Sequence, residues 1–160
     1  MHNPSSMRLS SLLQEVPGIL KYPGTEVSIN GIVQDSRQVQ PGNLFVAFSG
    51  GSTDRHRYIP DAIRRGASAV IGTQESASLP VAYVQVKDSR LALAYLAAAY
   101  HGFPARQLLV IGVTGTDGKT TTANLIFNIL QAAGFQTGMI STVNAVIGDR
   151  ELDTGFHVTT

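Results

Sequence analysis

Residues 112–122 have the sequence GVTGTDGKTTT, whose residue types and spacing suit a loop that binds phosphate groups. Such a loop turns tightly after a strand, so that backbone N–H groups and a helix N-terminus point at the anion. Gly115 and Gly118 supply the flexible positions of the turn. Lys119 places a cation where the β- and γ-phosphates of a nucleotide would lie, and Thr120 offers a hydroxyl suited to Mg²⁺. The segment therefore predicts a nucleotide site.

One position of this loop differs from the general P-loop pattern, which begins with a glycine. Val113 occupies that position. A glycine-rich turn between a strand and a helix, without any ligand, is the alternative interpretation. It accounts for the glycines, but it does not explain the sequence Gly118-Lys119-Thr120 at the start of a predicted helix. We therefore favour the nucleotide site.

A second group of polar residues follows the first predicted strand. Asp35, Ser36 and Arg37 offer two acceptors and a cation, which suit a ribose, a uracil edge or a diphosphate. Taken without any family resemblance, these residue types favour a surface turn with an internal pair between Asp35 and Arg37. The residue types alone leave both interpretations open.

The remaining candidates are a basic cluster and two isolated histidines. Arg55, His56 and Arg57 fit either a contact to a diphosphate or a solvated loop. Because the chain has no cysteine and no spaced pair of histidines or carboxylates, nothing supports a metal site at His101 or His157.

The composition bounds the class of protein. At 160 residues, with 43% hydrophobic residues and a net charge of +1, the chain suits a soluble domain and gives no support to a nucleic-acid partner. The absence of cysteine excludes disulfides and thiolate zinc sites. No secretion signal is recognisable, and the most apolar helix candidate, residues 91–100, is far shorter than the ~20 residues that span a bilayer. We therefore predict a cytoplasmic α/β protein with no membrane partner.

Hydrophobic periodicity and turn signals predict the elements that would position these residues. In the first part of the chain they predict helices at residues 10–16, 58–65 and 89–100, and strands at 29–34, 44–48, 69–71 and 81–86. A continuous apolar strand at 108–113 is expected to be buried on both faces of a parallel sheet. It leads into a helix at 119–133, on one face of which lie Leu125, Ile126, Ile129, Leu130 and Ala133. A strand at 136–140 and a hairpin about Gly148-Asp149 follow.

The form of the loop points to a family. TGTDGKTTT, with a hydrophobic residue in place of the first P-loop glycine, resembles the ATP-binding loop of the Mur ligase family, whose members build the peptide of bacterial cell-wall precursors. The related folylpolyglutamate synthetases use a similar loop. The segment QDSRQVQPGNLFVAFSG, residues 34–50, looks like the uridine-nucleotide-binding domain of the ligases that add the third residue and the terminal dipeptide. The synthetases lack that domain, so the resemblance favours the Mur ligases.

Three further segments are similar to one branch of that family, which adds the third amino acid to UDP-N-acetylmuramoyl-L-alanyl-D-glutamate. They are GGSTDRHRYIPDAIRRGASAVI, MISTVNA and the final Thr159-Thr160. The resemblance implies an ATP-dependent ligase of peptidoglycan synthesis that forms an amide bond through an acyl phosphate. Its partners would be the UDP-N-acetylmuramoyl-dipeptide and a free amino acid, and its cofactors would be ATP and Mg²⁺.

Three alternatives stay open. The first is the Mur ligase branch that adds the terminal D-Ala-D-Ala dipeptide. The second is a short natural module that binds a UDP-sugar or a nucleotide without catalysis. The third is a small P-loop kinase or NTPase, and the segment at residues 34–50 counts against it.

The resemblance also assigns site residues by position. Lys119 would be catalytic, and Thr120 would bind the metal. The residues expected to hold the ATP phosphates are Gly115, Thr116, Asp117, Gly118, Lys119, Thr120 and Thr121. The residues expected to bind the uridine-diphosphate and muramoyl-peptide substrate are Gln34, Ser36, Gly51, Ser52, Thr53, Thr159 and Thr160.

The implied fold class is α/β, with a uridine-nucleotide-binding α/β domain followed by the truncated start of a P-loop ATPase domain with a parallel sheet. We predict a UDP-muramoyl-substrate-binding domain at residues 1–103, a linker at 104–107 and the incomplete central ATP-binding domain at 108–160. Because the chain resembles about the first third of such an enzyme, we expect this fragment to be without turnover. We also expect residues 108–160 to be either loosely packed or buried against a second copy of the chain.

Overall fold

The computed structural model describes residues 6–50, 53–76, 78–142, 144–148 and 150–153. The chain divides into two compact units, with the division between Leu109 and Val110. The predicted linker at residues 104–107 forms a 3-10 helix, Pro104–Gln107, at the end of the first unit. The roles assigned to the two domains stay predictions.

The first unit contains three α-helices, nine short strands and three 3-10 helices among its described residues. The helices are α1 Leu9–Leu13, α2 Ile59–Arg64 and α3 Ser89–Tyr100. The strands are β1 Met7–Arg8, β2 Ile19–Lys21, β3 Ser28–Ile29, β4 Gly31–Val33, β5 Asn43–Val46, β6 Ser49–Gly50, β7 Thr53–Asp54, β8 Ala69–Gly72 and β9 Ala82–Val86. The 3-10 helices are Ser36–Gln38, Arg55–Tyr58 and Pro104–Gln107.

A five-stranded sheet organises the first unit, in the order β2-β9-β8-β5-β4. Strands β4, β5, β8 and β9 are parallel, and β2 pairs antiparallel with β9. The α/β class with a parallel sheet is therefore confirmed. Because parallel strands end at the same edge, the segments after β4, β5, β8 and β9 meet there, and this carboxyl edge is where open α/β sheets bind ligands.

The sheet separates two hydrophobic clusters. Along β5, Leu44 and Val46 face a cluster with α1 and α3, whereas Phe45 faces a second cluster with α2. This alternation follows from the two-residue period of a strand. Residues of both faces of β5 are fully buried, as expected for a central parallel strand.

Local signals set the helix ends. Asp88 precedes α3, and its carboxylate accepts hydrogen bonds from the backbone N–H groups of Arg90 and Leu91 at 2.8 and 3.1 Å. Pro60 lies in the first turn of α2, and Gly66 follows it with φ +98°. A Cβ at Gly66 would lie 3.0 Å from the Pro41 backbone, so both the conformation and the space require glycine. Helix α3 has the predicted bounds, and α2 begins and ends one residue inside the predicted range 58–65.

The strand predicted at residues 29–34 is divided in the structure. Ser28–Ile29 pairs with β1, whereas Gly31–Val33 joins the five-stranded sheet. Between them, the backbone N–H of Asn30 donates to the Gly42 carbonyl at 2.9 Å instead of continuing a ladder. Because apolar residues lie on both sides of Asn30, the hydrophobic pattern does not reveal this break.

The second unit consists of one helix and an antiparallel sheet. The elements are α4 Lys119–Ala132, β10 Gly138–Ile140, β11 Asn144–Ile147 and β12 Arg150–Asp153. The strands follow the order β10-β11-β12. Ile147 pairs with Arg150, so β11 and β12 form the predicted hairpin, and Asp149 lies outside the described residues. Gly134, with φ +85°, follows α4 and confirms the predicted helix end.

One prediction for the second part of the chain is wrong. Residues 108–113 form no strand, and Leu109 is 89% exposed. The apolar face of α4 is also open, with Leu125 and Ile129 57% and 66% exposed. A strand needs neighbours to pair its backbone, and no strand among the described residues pairs with this segment. The apolar run therefore lacks the partners that would bury it.

Among the described residues, no helix combines the length and the apolar character needed to cross a membrane.

Candidate nucleotide and substrate sites

The predicted phosphate-binding loop leads directly into α4. Gly118 immediately precedes the helix with φ +74°, and its carbonyl accepts from the Thr122 N–H at 2.9 Å. Helix α4 begins at Lys119, as predicted. Residues with a Cβ rarely adopt the left-handed conformation of Gly118, so this glycine is what lets the loop turn into the helix. The backbone N–H groups of the first helical turn are left free to meet an anion.

Lys119 lies folded over its own loop. Its Nζ donates to the carbonyl oxygens of Gly115 and Thr116 at 2.5 and 3.0 Å. An ammonium has three N–H donors, so these contacts hold the cation in place and leave one donor for a phosphate oxygen. Residues 114–121 are exposed, so the loop is open to a ligand.

The described residues offer Mg²⁺ too few ligands to bind it without a nucleotide. No group of three His, Asp or Glu side chains that could hold a metal occurs in the described part of the chain. Mg²⁺ usually takes one or two protein oxygens and completes its shell with phosphates and water. The exposed Thr120 hydroxyl in the first turn of α4 fits that pattern, with the Asp117 carboxylate two residues from Lys119.

The predicted substrate residues Gln34 and Ser36 follow β4 at the carboxyl edge of the sheet. Between them, Asp35 pairs with Arg37, whose Nη2 lies 2.6 Å from Oδ2. Hydrogen bonds from the Arg37 side chain, and then from its backbone, lower the pKa of Asp35 to about 2. The ion pair between Asp35 and Arg37, one of the two interpretations of the sequence, is therefore present. It engages the Asp35 carboxylate.

Ser36 is buried rather than open to solvent. Its hydroxyl hydrogen-bonds the Asp61 carboxylate on α2, and this bond is the largest cause of the lowered pKa of Asp61. Arg64 and Arg65 also donate to Asp61, each at 3.2 Å. Ser36 thus ties the turn after β4 to α2, and its contact with substrate stays a prediction.

Several predicted substrate residues fall in parts of the chain that are not described. Gly51, Ser52, Thr159 and Thr160 lie outside the described residues. The backbone of Thr53 belongs to β7 and pairs with Gly50 of β6.

His56 is not part of an exposed basic cluster, contrary to both interpretations of the sequence. It is only 7% exposed, and its Nε2 accepts from the Thr73 backbone N–H at 2.9 Å. A backbone amide can only donate, so the ring proton is on Nδ1, which lies 2.6 Å from Asp54 Oδ1. His56 therefore connects the segment after β7 to the end of β8.

Asp54 is the acceptor at the centre of this hydrogen-bond network, and the sequence analysis did not identify it. Its carboxylate also accepts from the His56 N–H at 3.0 Å, from Ser49 Oγ at 3.1 Å and from Gln74 Nε2 at 2.8 Å. The β6–β7 hairpin, which flanks predicted substrate residues, is thereby attached to the sheet. The spacing of Asp54 two residues before His56, typical of a helix cap, is the local signal that could have indicated it.

Asp54→Asn is expected to destabilise the protein most at neutral pH. The backbone N–H of His56, followed by its side chain, holds the pKa of Asp54 well below the ordinary value of 3.8. A carboxyl whose pKa is lowered by folding contributes stability above its unfolded pKa and loses it as pH falls. The difference in unfolding free energy between Asp54→Asn and the wild type should therefore shrink below about pH 4. Urea titrations between pH 7 and pH 3 measure it, and a pH-independent difference would contradict the assignment.

The three basic residues after β7 make different contacts. The Arg55 guanidinium donates to the Gln34 carbonyl at 2.7 Å and lies 4.6 Å from the centre of the Phe48 ring. Arg90, at the start of α3, lies 5.1 Å from the same ring. Arg57 instead packs on Tyr58. Arg55, Arg90 and Phe48 therefore converge beside the predicted substrate residue Gln34.

Two family descriptions match the chain. Residues 28–101 match "Mur ligase family, catalytic domain", and residues 113–160 match "Mur ligase middle domain". The first range contains the carboxyl edge of the sheet, and the second contains the predicted phosphate-binding residues 115–121 and α4.

Two curated relatives are similar over most of the chain. UDP-N-acetylmuramyl-tripeptide synthetase of Roseiflexus sp. (strain RS-1) is 46% identical over 146 residues, which make up 90% of this chain and 29% of the relative. UDP-N-acetylmuramoyl-L-alanyl-D-glutamate--2,6-diaminopimelate ligase of Listeria innocua is 40% identical over 149 residues, 92% of this chain and 30% of the relative. The chain thus spans less than a third of the length of these relatives.

A solved structure gives a further likeness. The MurF ligase from Thermotoga maritima in complex with ADP is 35% identical, with a TM-score of 0.50 over 63% of this chain and 23% of that one. Together, the two matched domains and these relatives show that the chain belongs to the Mur ligase family.

Proposed function

We propose that this chain holds the substrate and the ATP phosphates for a ligase that adds the third amino acid to UDP-N-acetylmuramoyl-L-alanyl-D-glutamate in peptidoglycan synthesis. The observation that carries the proposal is the loop before α4, where Lys119 is held over two carbonyls at the start of a helix. The names of the Roseiflexus and Listeria relatives support the third-residue step.

The loop would contribute charge stabilisation to phosphoryl transfer. In the proposed reaction the D-glutamyl carboxylate attacks the γ-phosphorus of ATP, which forms an acyl phosphate and releases ADP. The amine of the incoming amino acid then attacks the acyl carbon, phosphate leaves, and the nitrogen loses a proton. Lys119 and the first backbone N–H groups of α4 would stabilise negative charge on the transferring group. Mg²⁺, when bound with the nucleotide at Thr120, would neutralise part of the same charge.

The carboxyl edge of the first unit would hold the uridine-diphosphate end of the substrate. Gln34 is exposed there, next to the turn that Ser36 ties to α2. Gly51, Ser52 and Thr53 are proposed for the same site, and Thr159 and Thr160 for the muramoyl peptide. The cytoplasmic location, the free amino-acid partner, self-association of residues 108–160 and the lack of turnover stay predictions.

A second candidate is the step that adds the terminal D-Ala-D-Ala dipeptide. The likeness to a solved MurF ligase, at 35% identity, favours it. Both candidates share the uridine-diphosphate and ATP sites, so they differ only in the peptide acceptor and the incoming amino acid.

UDP is expected to bind the 160-residue chain, and Gln34→Ala is expected to weaken that binding several-fold, up to about tenfold, through loss of one or two hydrogen bonds. Isothermal calorimetry measures the affinity. Gln38→Ala is the matched control, because Gln38 is also exposed and lies four residues further along the same segment. No binding of UDP at millimolar concentration, or equal effects of the two substitutions, would count against the site.

A further inference from the structure

Two guanidinium groups share one aromatic ring at the carboxyl edge of the first unit. Arg55 and Arg90 lie 4.6 and 5.1 Å from the centre of the Phe48 ring. They come from separate segments, since Arg55 follows β7 and Arg90 belongs to the first turn of α3. The half-buried Phe48 follows β5, so tertiary structure alone brings the three side chains together.

Neither cation has a carboxylate partner among the described residues. The ion pairs found among the described residues involve other basic side chains, namely Arg37, His56, Arg64, Arg65 and Arg106. Asp35 lies near enough for Arg55 to lower its pKa, but hydrogen bonds from Arg37 reach both of its oxygens. The two positive guanidinium groups therefore repel each other, and no carboxylate among the described residues forms an ion pair with either of them. The Phe48 ring attracts both.

The position of the pair indicates which anion would fit. Gln34 follows β4, Phe48 follows β5 and Arg90 follows β9, so the group lies where open parallel sheets bind ligands. The Arg55 Nη1 is held 2.7 Å from the Gln34 carbonyl, next to a proposed contact of the uridine nucleotide. Guanidinium groups bind phosphate oxygens in a two-pronged geometry, and two of them suit two linked phosphates.

We propose that Arg55 and Arg90, set in place by Phe48, bind the diphosphate of the uridine-diphosphate substrate. The inference rests on the proposed function. It selects Arg55, for which the sequence left a diphosphate contact open, and adds Arg90 and Phe48, which the sequence did not indicate. Phe48 is a positioning residue, since it acts through the two guanidinium groups.

The test compares UDP, uridine and inorganic pyrophosphate as ligands of the 160-residue chain. Arg55→Ala and Arg90→Ala are each expected to weaken UDP binding at least about tenfold, because each removes charge-assisted hydrogen bonds. Uridine binding, followed by ligand-observed NMR, is expected to stay unchanged, and Arg90→Lys is expected to recover part of the UDP affinity. Calorimetry at two salt concentrations should show a weaker salt dependence for both alanine variants.

Arg106→Ala is the matched control. Arg106 also packs on a phenylalanine, Phe103, at 3.9 Å, but it lies beyond the other end of α3 and is paired with Glu15. It is expected to leave UDP affinity unchanged. Thermal unfolding of each variant separates lost binding from lost folding.

The outcomes separate this inference from the function on which it rests. If both alanine variants bind UDP as the wild type does, the inference is wrong while the uridine site stands. If they lose UDP and uridine equally, the arginines have only a structural role, and the inference is again wrong. Binding of pyrophosphate but not of UDP would support the anion site and oppose the uridine assignment. If the wild type binds none of the three ligands, both the inference and the proposed uridine-diphosphate site are wrong.

Discussion

Lys119→Ala is expected to reduce ATP binding by this chain about ten- to hundredfold, the value of one or two charge-assisted hydrogen bonds to phosphate. Among the residues assigned to the loop, 115–121, Lys119 supplies the only cation. Its ammonium is already fixed by the carbonyls of Gly115 and Thr116, so little order has to be gained when a phosphate arrives. The truncation removes both the charge and the contacts that hold the loop.

Calorimetry with Mg²⁺-ATP and with adenosine measures this effect. Adenosine binding should not change, because Lys119 is assigned to the phosphates. Lys21→Ala is the control, since Lys21 is an exposed lysine on β2 in the other unit. Far-ultraviolet circular dichroism checks that α4 is retained. An unchanged affinity for ATP in Lys119→Ala would contradict the assignment of the loop to the ATP phosphates.

Phe45→Ala is expected to lower the free energy of unfolding of the first unit by about 3–5 kcal/mol. Phe45 is fully buried on β5, in the cluster that includes Val70 and Ala62. The change removes an aromatic ring from an interior strand of the sheet, and a packed core closes only part of such a cavity. Since domains are stable by about 5–15 kcal/mol, the loss is a large part of the total.

Denaturant titration followed by tyrosine fluorescence reports the first unit alone. The chain has no tryptophan, and all five tyrosines precede residue 101. Leu20→Ala is the control, because Leu20 lies on the edge strand β2 with 53% of its surface exposed and should change stability by about 0.5 kcal/mol or less. If Phe45→Ala costs no more than this control, the described packing of β5 is wrong.

Features that depend on neighbouring residues could be predicted from the sequence. The start of α4 at Lys119 follows from Gly118 immediately before it, and the start of α3 follows from the cap at Asp88. The end of α2 before Gly66 follows from the conformations that glycine allows. The resemblance of the loop to Mur ligases rests on the same short range of sequence, and the family matches confirm it.

Contacts between distant segments could not be predicted in this way. His56 was interpreted as an exposed base, but the Thr73 N–H and Asp54 enclose it. Ser36 was assigned to a ligand, and the fold buries it against Asp61. No pattern of a few residues reports such contacts, because they depend on which strands lie side by side.

The segment at residues 108–113 illustrates the limit most directly. Its apolar run predicts that burial would be favourable, and this inference needs only residue types. Whether a strand forms depends on partners that pair its backbone and cover its faces. No strand among the described residues pairs with the segment, and Leu109 and Val110 stay exposed. Hydrophobicity thus indicates a capacity for burial, and the surrounding structure decides whether that capacity is used.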